Sequence, residues 1–147
     1  MISADEYRIR PDARRFENWE GHYAGRLGLS VAIDYALDWG LPAIEERVVM
    51  LANKLRERLT EIPGVIVCDL GRKHCAIVSF AAAGVSASHI KQQLSDKNIN
   101  VTTSSPLGTR LDMDARGLKE VVRASVHYYN TEEEVDRFCR ELQQIIT

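Results

Sequence analysis

Long hydrophobic runs are missing from this chain. No stretch approaches the ~18 consecutive apolar residues that a membrane-spanning helix needs. The opening MISADEYRIRPDARR has no apolar core and does not read as a secretory signal. Cysteine is scarce: Cys68, Cys75 and Cys139 are odd in number and scattered. They make no disulfide framework and favour a reducing, cytoplasmic setting. An excess of one charge is missing too. Nineteen Lys and Arg against 21 Asp and Glu leave a net charge of -2. No basic patch is interleaved with aromatics, so nothing points to nucleic acid. Phosphate-cradling glycine loops are also lacking, because Gly25, Gly28 and Gly40 fit neither G-x-G-x-x-G nor the Walker spacing. There is no internal repeat and no low-complexity tract.

What remains is an ordinary soluble composition, 45% hydrophobic and 27% charged, long enough for one domain with its own core. Residues 1–15 are polar, contain Pro11 and read as an extended arm or linker. From about Tyr23 to Trp39 the spacing predicts a helix that is apolar nearly all round, which asks for burial on most sides. Gly40 and Pro42 separate it from a second helix running to about Glu61. There Ile44, Val48, Leu51, Ala52, Leu55, Leu59 and Ile62 make one apolar stripe. Glu45, Glu46, Arg47, Lys54, Arg56, Glu57 and Arg58 read as its solvated face.

PGVIVCDL and GRKHCAIVSF read as two strands around a turn containing Gly71. Ser86 opens a helix that ends near Asn98, with Val85 and Ile90 spaced as a hydrophobic staple. A third strand is expected to start at INV, from Ile99. Residues 102–117 show neither helical nor strand period and read as a long polar loop, a class often functional. KEVVRASV is the fourth strand, and Thr131 with Glu134 forms a capping box for the last helix. The expected class is α+β: a small, mostly antiparallel sheet of about four strands, helices packed on one face, and two long N-terminal helices.

Arg123 is the leading candidate for chemistry. Strand alternation turns Val122, Ala124 and Val126 to the core and Val121, Arg123 and Ser125 the other way. A guanidinium so placed needs an anion. One reading pairs it with a local carboxylate. The other has it grip a visiting carboxylate, which its planar fork matches with two hydrogen bonds. The remaining candidates are weaker. Cys68-x5-His74-Cys75 is no zinc spacing, and neighbours on a strand point to opposite faces. His22, His89 and His127 are isolated. Asp112 and Asp114 have a spacing of little specificity. Arg110, Asp112 and Arg116 read either as contacts for a polar substrate tail or as solvated groups.

The segment ARRFENWEGHYAGRLGLSVAIDYALDWGLPAIEERV, then LANKLRERL, PGV and VRASVHYYNTEEEVD, resembles the C-terminal small domain of class V aminotransferase-fold enzymes. These are pyridoxal-phosphate (PLP) enzymes of fold type I, including cysteine desulfurases and isopenicillin N epimerase-like proteins. The likeness runs from about Ala4 to Ile146. It implies that residues 16–147 are such a small domain and that Arg123 binds the α-carboxylate of an amino-acid substrate. It further implies PLP in the full-length enzyme, a homodimer, and a large cofactor-bearing domain upstream that this chain lacks. The chain alone is then expected to be inactive and to bind no cofactor or metal.

Three departures qualify the resemblance. Trp19 and Glu20 stand where desulfurases carry Gly-Thr near the cofactor phosphate, so no phosphate contact is expected here. Residues 102–117 contain no cysteine, which disfavours a desulfurase using a cysteine persulfide and favours an epimerase, aminotransferase or lyase. The five lysines, Lys54, Lys73, Lys91, Lys97 and Lys119, sit on polar faces or turns, whereas a Schiff-base lysine is typically buried. Two rival readings need no catalysis: a stand-alone carboxylate-binding or protein-interaction module, and a dimerisation unit.

Overall fold

The computed structural model describes residues 3–17 and 21–147. It divides into two compact units, one up to Trp39 and one over Gly40–Thr147. In the first, Asp12 caps a short 3-10 turn, Ala13–Phe16, by accepting the Arg14 amide at 3.1 Å. Helix α1 follows at Tyr23–Trp39. His22 opens it, its Nδ1 accepting the Gly25 amide at 2.8 Å. α1 buries none of its residues; Leu27, Val31 and Trp39 are all exposed. Trp19 and Glu20 lie outside the described residues.

The second unit begins with α2, Leu41–Thr60, whose Pro42 sits in the first turn, where no backbone donor is lost. Then come β1 (Val65–Val67), β2 (Ile77–Ala82), α3 (Ala87–Ser95), β3 (Thr102–Ser104), α4 (Pro106–Ala115), β4 (Val121–Ser125) and α5 (Glu132–Ile146). The four strands form one sheet in the order β1-β2-β4-β3, antiparallel at every pairing. The last strand in the chain therefore lies inside the sheet.

The core follows from the two periods. Val78 and Phe80 of β2 and Val122 and Ala124 of β4 alternate onto one face. Leu51, Leu55 and Leu59 of α2, Ile90 and Leu94 of α3, and Val135, Phe138 and Leu142 of α5 pack on them. Phe80 and Phe138 meet edge to face at 6.1 Å. The ends of the helices are set by polar side chains. Ser86 caps α3 by accepting the His89 amide at 3.2 Å. Past the end of α3, Asn98 takes a positive φ of 58° and the Ile99 amide returns to the Leu94 carbonyl at 2.9 Å, a left-handed C-terminal closure. Thr131 and Glu134 close both halves of the capping box on α5.

Two expectations fail in the same place. The third strand is not at Ile99 but at Thr102–Ser104, because Ile99 and Val101 dip into the core before pairing begins. The stretch 102–117 is not an irregular loop: it holds β3 and the whole of α4. That helix bends at Thr109, whose φ of -141° is not helical. Only Met113 of α4 is buried, while Leu107 and Leu111 are more than nine-tenths exposed, at 92% and 91%. A helix whose leucines face outward leaves no apolar stripe in the sequence.

Phe80→Ala should cost about 3–5 kcal/mol of stability, and Thr131→Ala about 1 kcal/mol. Urea denaturation of the two variants measures both, and equal losses would contradict this core.

Candidate functional site

The face of the sheet away from α2, α3 and α5 carries Ile77, Ser79 and Ala81 of β2 and Val121, Arg123 and Ser125 of β4. Register places Arg123 directly opposite Ser79 on one side and Thr102 on the other. α4 covers part of this face: Met113 packs with Val121 and Cys68, with Ala81 and Leu118 beside them. Arg123 stands outside that small cluster, partly buried. No carboxylate among the described residues lies within 4.0 Å of its guanidinium, and its side chain makes no hydrogen bond to a described residue. The alternation expected for β4 is therefore present, and no local counter-ion lies among the described residues.

Asp69 is bonded to Ser79, the residue opposite Arg123, and is already engaged. Asp69, just beyond β1, accepts the Ser79 amide at 2.8 Å and the Ser79 hydroxyl at 2.6 Å, both on Oδ1. Its Oδ2 accepts Nε of Arg56 at 2.8 Å, and both side chains are close to nine-tenths buried, exposed by 12% and 11%. Nη2 of Arg56 also donates to the carbonyls of Cys75 and Ile77, at 2.8 and 3.2 Å. Burial alone would push the Asp69 carboxyl up. The Ser79 hydroxyl and amide, together with Arg56, outweigh it and hold the group below its ordinary value.

Spacing did not reveal this network. Arg56 read as part of a solvated charge run, yet it is buried against Asp69. Lys54, from the same run, bridges to Asp136 at 3.0 Å and Glu132 at 3.2 Å on α5. The available signal was polar residues in apolar company: a serine inside IVSFAA and an aspartate closing VIVCDL. Spacing cannot show that the two meet.

The other candidates are dispersed. Arg116 pairs with Asp112 at 3.0 Å and donates to the Cys68 carbonyl; Arg110 lies 3.6 Å from Asp114. These contacts tie α4 and its end to one another and to the segment just after β1. His127 stacks on Tyr129 with ring centroids 4.4 Å apart. Cys139 is buried, which pushes its thiol up to about 11. Burial likewise raises the Cys68 thiol. Cys75 is exposed, on the connection between β1 and β2. Among the described residues no group of three or more His, Cys, Asp or Glu side chains is placed to hold a metal. No helix of the described residues is long and apolar enough to cross a membrane.

None of the lysines suits a cofactor Schiff base. Lys73, Lys91 and Lys119 are exposed. Lys97 is ion-paired with Glu141. Lys54 is raised above its ordinary value, first by its hydrogen bond to Asp136, the opposite of what a nucleophilic amine needs. A cleft of about 370 Å³ opens beside the end of β4, between Asn98, Asn100, Ser125 and Arg137, and Arg123 does not line it. The described residues do not fit PLP.

The antiparallel sheet is covered by α2, α3 and α5 on one face, and the other face carries an arginine with no partner among the described residues. Comparison with known proteins places it. The aminotransferase class-V family model matches residues 1–138. The chain belongs to that family, the PLP-dependent enzymes of fold type I. A probable cysteine desulfurase of Xylella fastidiosa strain Temecula1 is 30% identical over 144 residues, which is 98% of this chain and 34% of the relative. An apo cysteine desulfurase from Thermococcus onnurineus NA1 superposes with a TM-score of 0.81 at 29% identity, over 98% of this chain and 36% of that one. The lyase C-DES, solved with glycine linked to its PLP cofactor, shares the fold at a TM-score of 0.70 and 22% identity, over 88% of this chain and 31% of that one. The chain thus spans about a third of the length of the relatives it matches.

Asp69→Asn should destabilise the protein by about 3 kcal/mol at neutral pH, since it leaves Arg56 largely buried without its anion. Because the folded-state pKa of Asp69 is depressed, its contribution is fully present above the unfolded value of ~3.9 and is lost as pH falls through the lower folded value. Stability measured from pH 6 down to about 2 should therefore fall less steeply in Asp69→Asn than in the wild type. Parallel curves would contradict the assignment.

Proposed function

We propose that residues 16–147, preceded by an arm over 1–15, are the small C-terminal domain of a cytoplasmic PLP-dependent enzyme that acts on an amino acid. In it Arg123 holds the substrate's α-carboxylate. The observation that carries this reading is a partly buried guanidinium with no anion among the described residues, on the sheet face that the core helices leave bare. Removing a charge partly from water without a partner costs free energy, and a carboxylate arriving from outside returns it through two parallel charge-assisted hydrogen bonds. The pairing of β4 between β2 and β3 fixes the strand on both sides, so the fork is presented by a rigid support. The cofactor chemistry belongs to the remainder of the whole enzyme, because no lysine here suits it.

The relatives' names point to sulfur-containing amino acids as the substrate class. A protein-bound persulfide requires an accessible thiolate. Cys68 and Cys139 are buried with raised thiols, and the segment between β3 and β4 has no cysteine. Lyase, aminotransferase or epimerase chemistry, with the sulfur or amino group leaving directly, suits this chain better than sulfur storage on its own cysteine. The enzyme is further proposed to be a homodimer; the exposed apolar residues of α1 support an association of that kind.

In the whole enzyme, Arg123→Ala should weaken amino-acid binding by roughly 2–5 kcal/mol. Arg123→Lys, which keeps the charge and loses the fork, should fall between. The measurement is a titration with amino acids followed by cofactor absorbance. Unchanged affinity in Arg123→Ala would remove the carboxylate role. Cys75→Ala should leave turnover intact, and its loss would restore the persulfide route.

A further inference from the structure

We propose that Arg56 is a positioning residue for Arg123: by occupying Asp69, it keeps the Arg123 guanidinium open to an outside carboxylate. The proposal builds on the reading of Arg123 as a carboxylate clamp, but its central claim concerns which internal acid is available.

Asp69 has a structural task of its own. The ladder between β1 and β2 stops at Val67, and the last bond on that side runs from the Cys68 amide to the Ser79 carbonyl at 2.7 Å. The Ser79 amide points the same way and has no strand partner. Asp69 Oδ1 supplies it and takes the Ser79 hydroxyl as well. A carboxylate at this spot closes the edge of the pairing, and its removal would leave a backbone donor without a partner.

That same acid is one residue removed from Arg123, bonded to the Ser79 that Arg123 faces. Both backbone polar groups of Ser79 face β1, so Ser79 and Arg123 form a non-hydrogen-bonded cross-strand pair, the kind whose side chains lie closest, with Cβ atoms about 4.5–5.5 Å apart. Asp69 is bonded to the side chain directly facing Arg123. Without Arg56, the largely buried carboxylate bonded to Ser79 and the guanidinium on the position facing Ser79 would each lack a counter-ion among the described residues. They would pair, because an uncompensated charge in such a place is strongly unfavourable. The internal pair would then occupy the fork needed for an arriving carboxylate. Arg56 prevents this through Nε on Oδ2, and its Nη2 bonds to two carbonyls lock the orientation. The site therefore uses two arginines and one acid: one arginine satisfies the acid, and the other is left for the ligand.

The test reads the availability of Arg123 directly. The purified chain is treated with phenylglyoxal, an arginine-directed reagent, and modification of Arg123 is timed by peptide mass spectrometry, with the exposed Arg110 as internal reference. In Arg56→Met the Arg123 rate should fall about fivefold or more relative to wild type, while Arg110 is unchanged. In Arg56→Met/Asp69→Asn the rate should return to the wild-type value, a rescue that general loosening of the fold would not produce. Arg56→Gln keeps donors for the Cys75 and Ile77 carbonyls and carries the same expectation if Arg56→Met does not fold. An unchanged Arg123 rate in the single variant, or no recovery in the double variant, overturns the proposal. Normal labelling behaviour with no effect of Arg123→Ala on amino-acid binding would instead overturn the clamp and leave the role of Arg56 standing.

Discussion

The pairing of β4 between β2 and β3 is the constraint on which the rest depends. One strand of five residues serves two environments, because successive side chains point to opposite faces. Val122 and Ala124 complete the layer that α2, α3 and α5 cover. Arg123 is carried to the other face by the same alternation, and neighbours on both sides hold the strand in register. A slip of one residue would bury the arginine and expose two core side chains. The free energy of the core therefore also fixes where the charge points.

Charge satisfaction then divides the arginines into classes. Arg56 is enclosed and paired, Arg116 is tied to Asp112 and a carbonyl, and Arg123 is partly enclosed with no partner among the described residues. Only the last arrangement leaves a demand that a ligand can meet. Nonetheless, among the described residues no group suits PLP, and the cleft beside β4 does not include Arg123. The chain belongs to the class V aminotransferase family and spans about a third of the length of its relatives.

Much of this was legible in the residues. The capping box at Thr131 and Glu134, the apolar stripe of α2 and the alternation of β4 are local patterns, and each matches what folds. The position of Arg123 could be read because a period of two needs only its own strand. α4 could not be read, since Leu107 and Leu111 face outward and Thr109 interrupts the turn. The Arg56–Asp69 pair was equally hidden. It joins a helix to the end of a strand, and a charged residue in a run of charges carries no mark of being enclosed. Local order is written in spacing, while partnership across the fold emerges only once the chain has closed on itself.

The strand order has a consequence for how the molecule is made. β4 is the last strand to leave a ribosome, yet it is the piece that joins β2 to β3. Until Val121–Ser125 has emerged, the β1–β2 hairpin and β3 have nothing between them, and the edge of β2 that pairs with β4 stays open. Contacts of such long sequence separation form slowly, and unpaired strand edges invite association while they wait. Nascent chains stalled ahead of that point would present an open sheet edge, so synthesis through β4 is the step that turns a sticky intermediate into a closed layer.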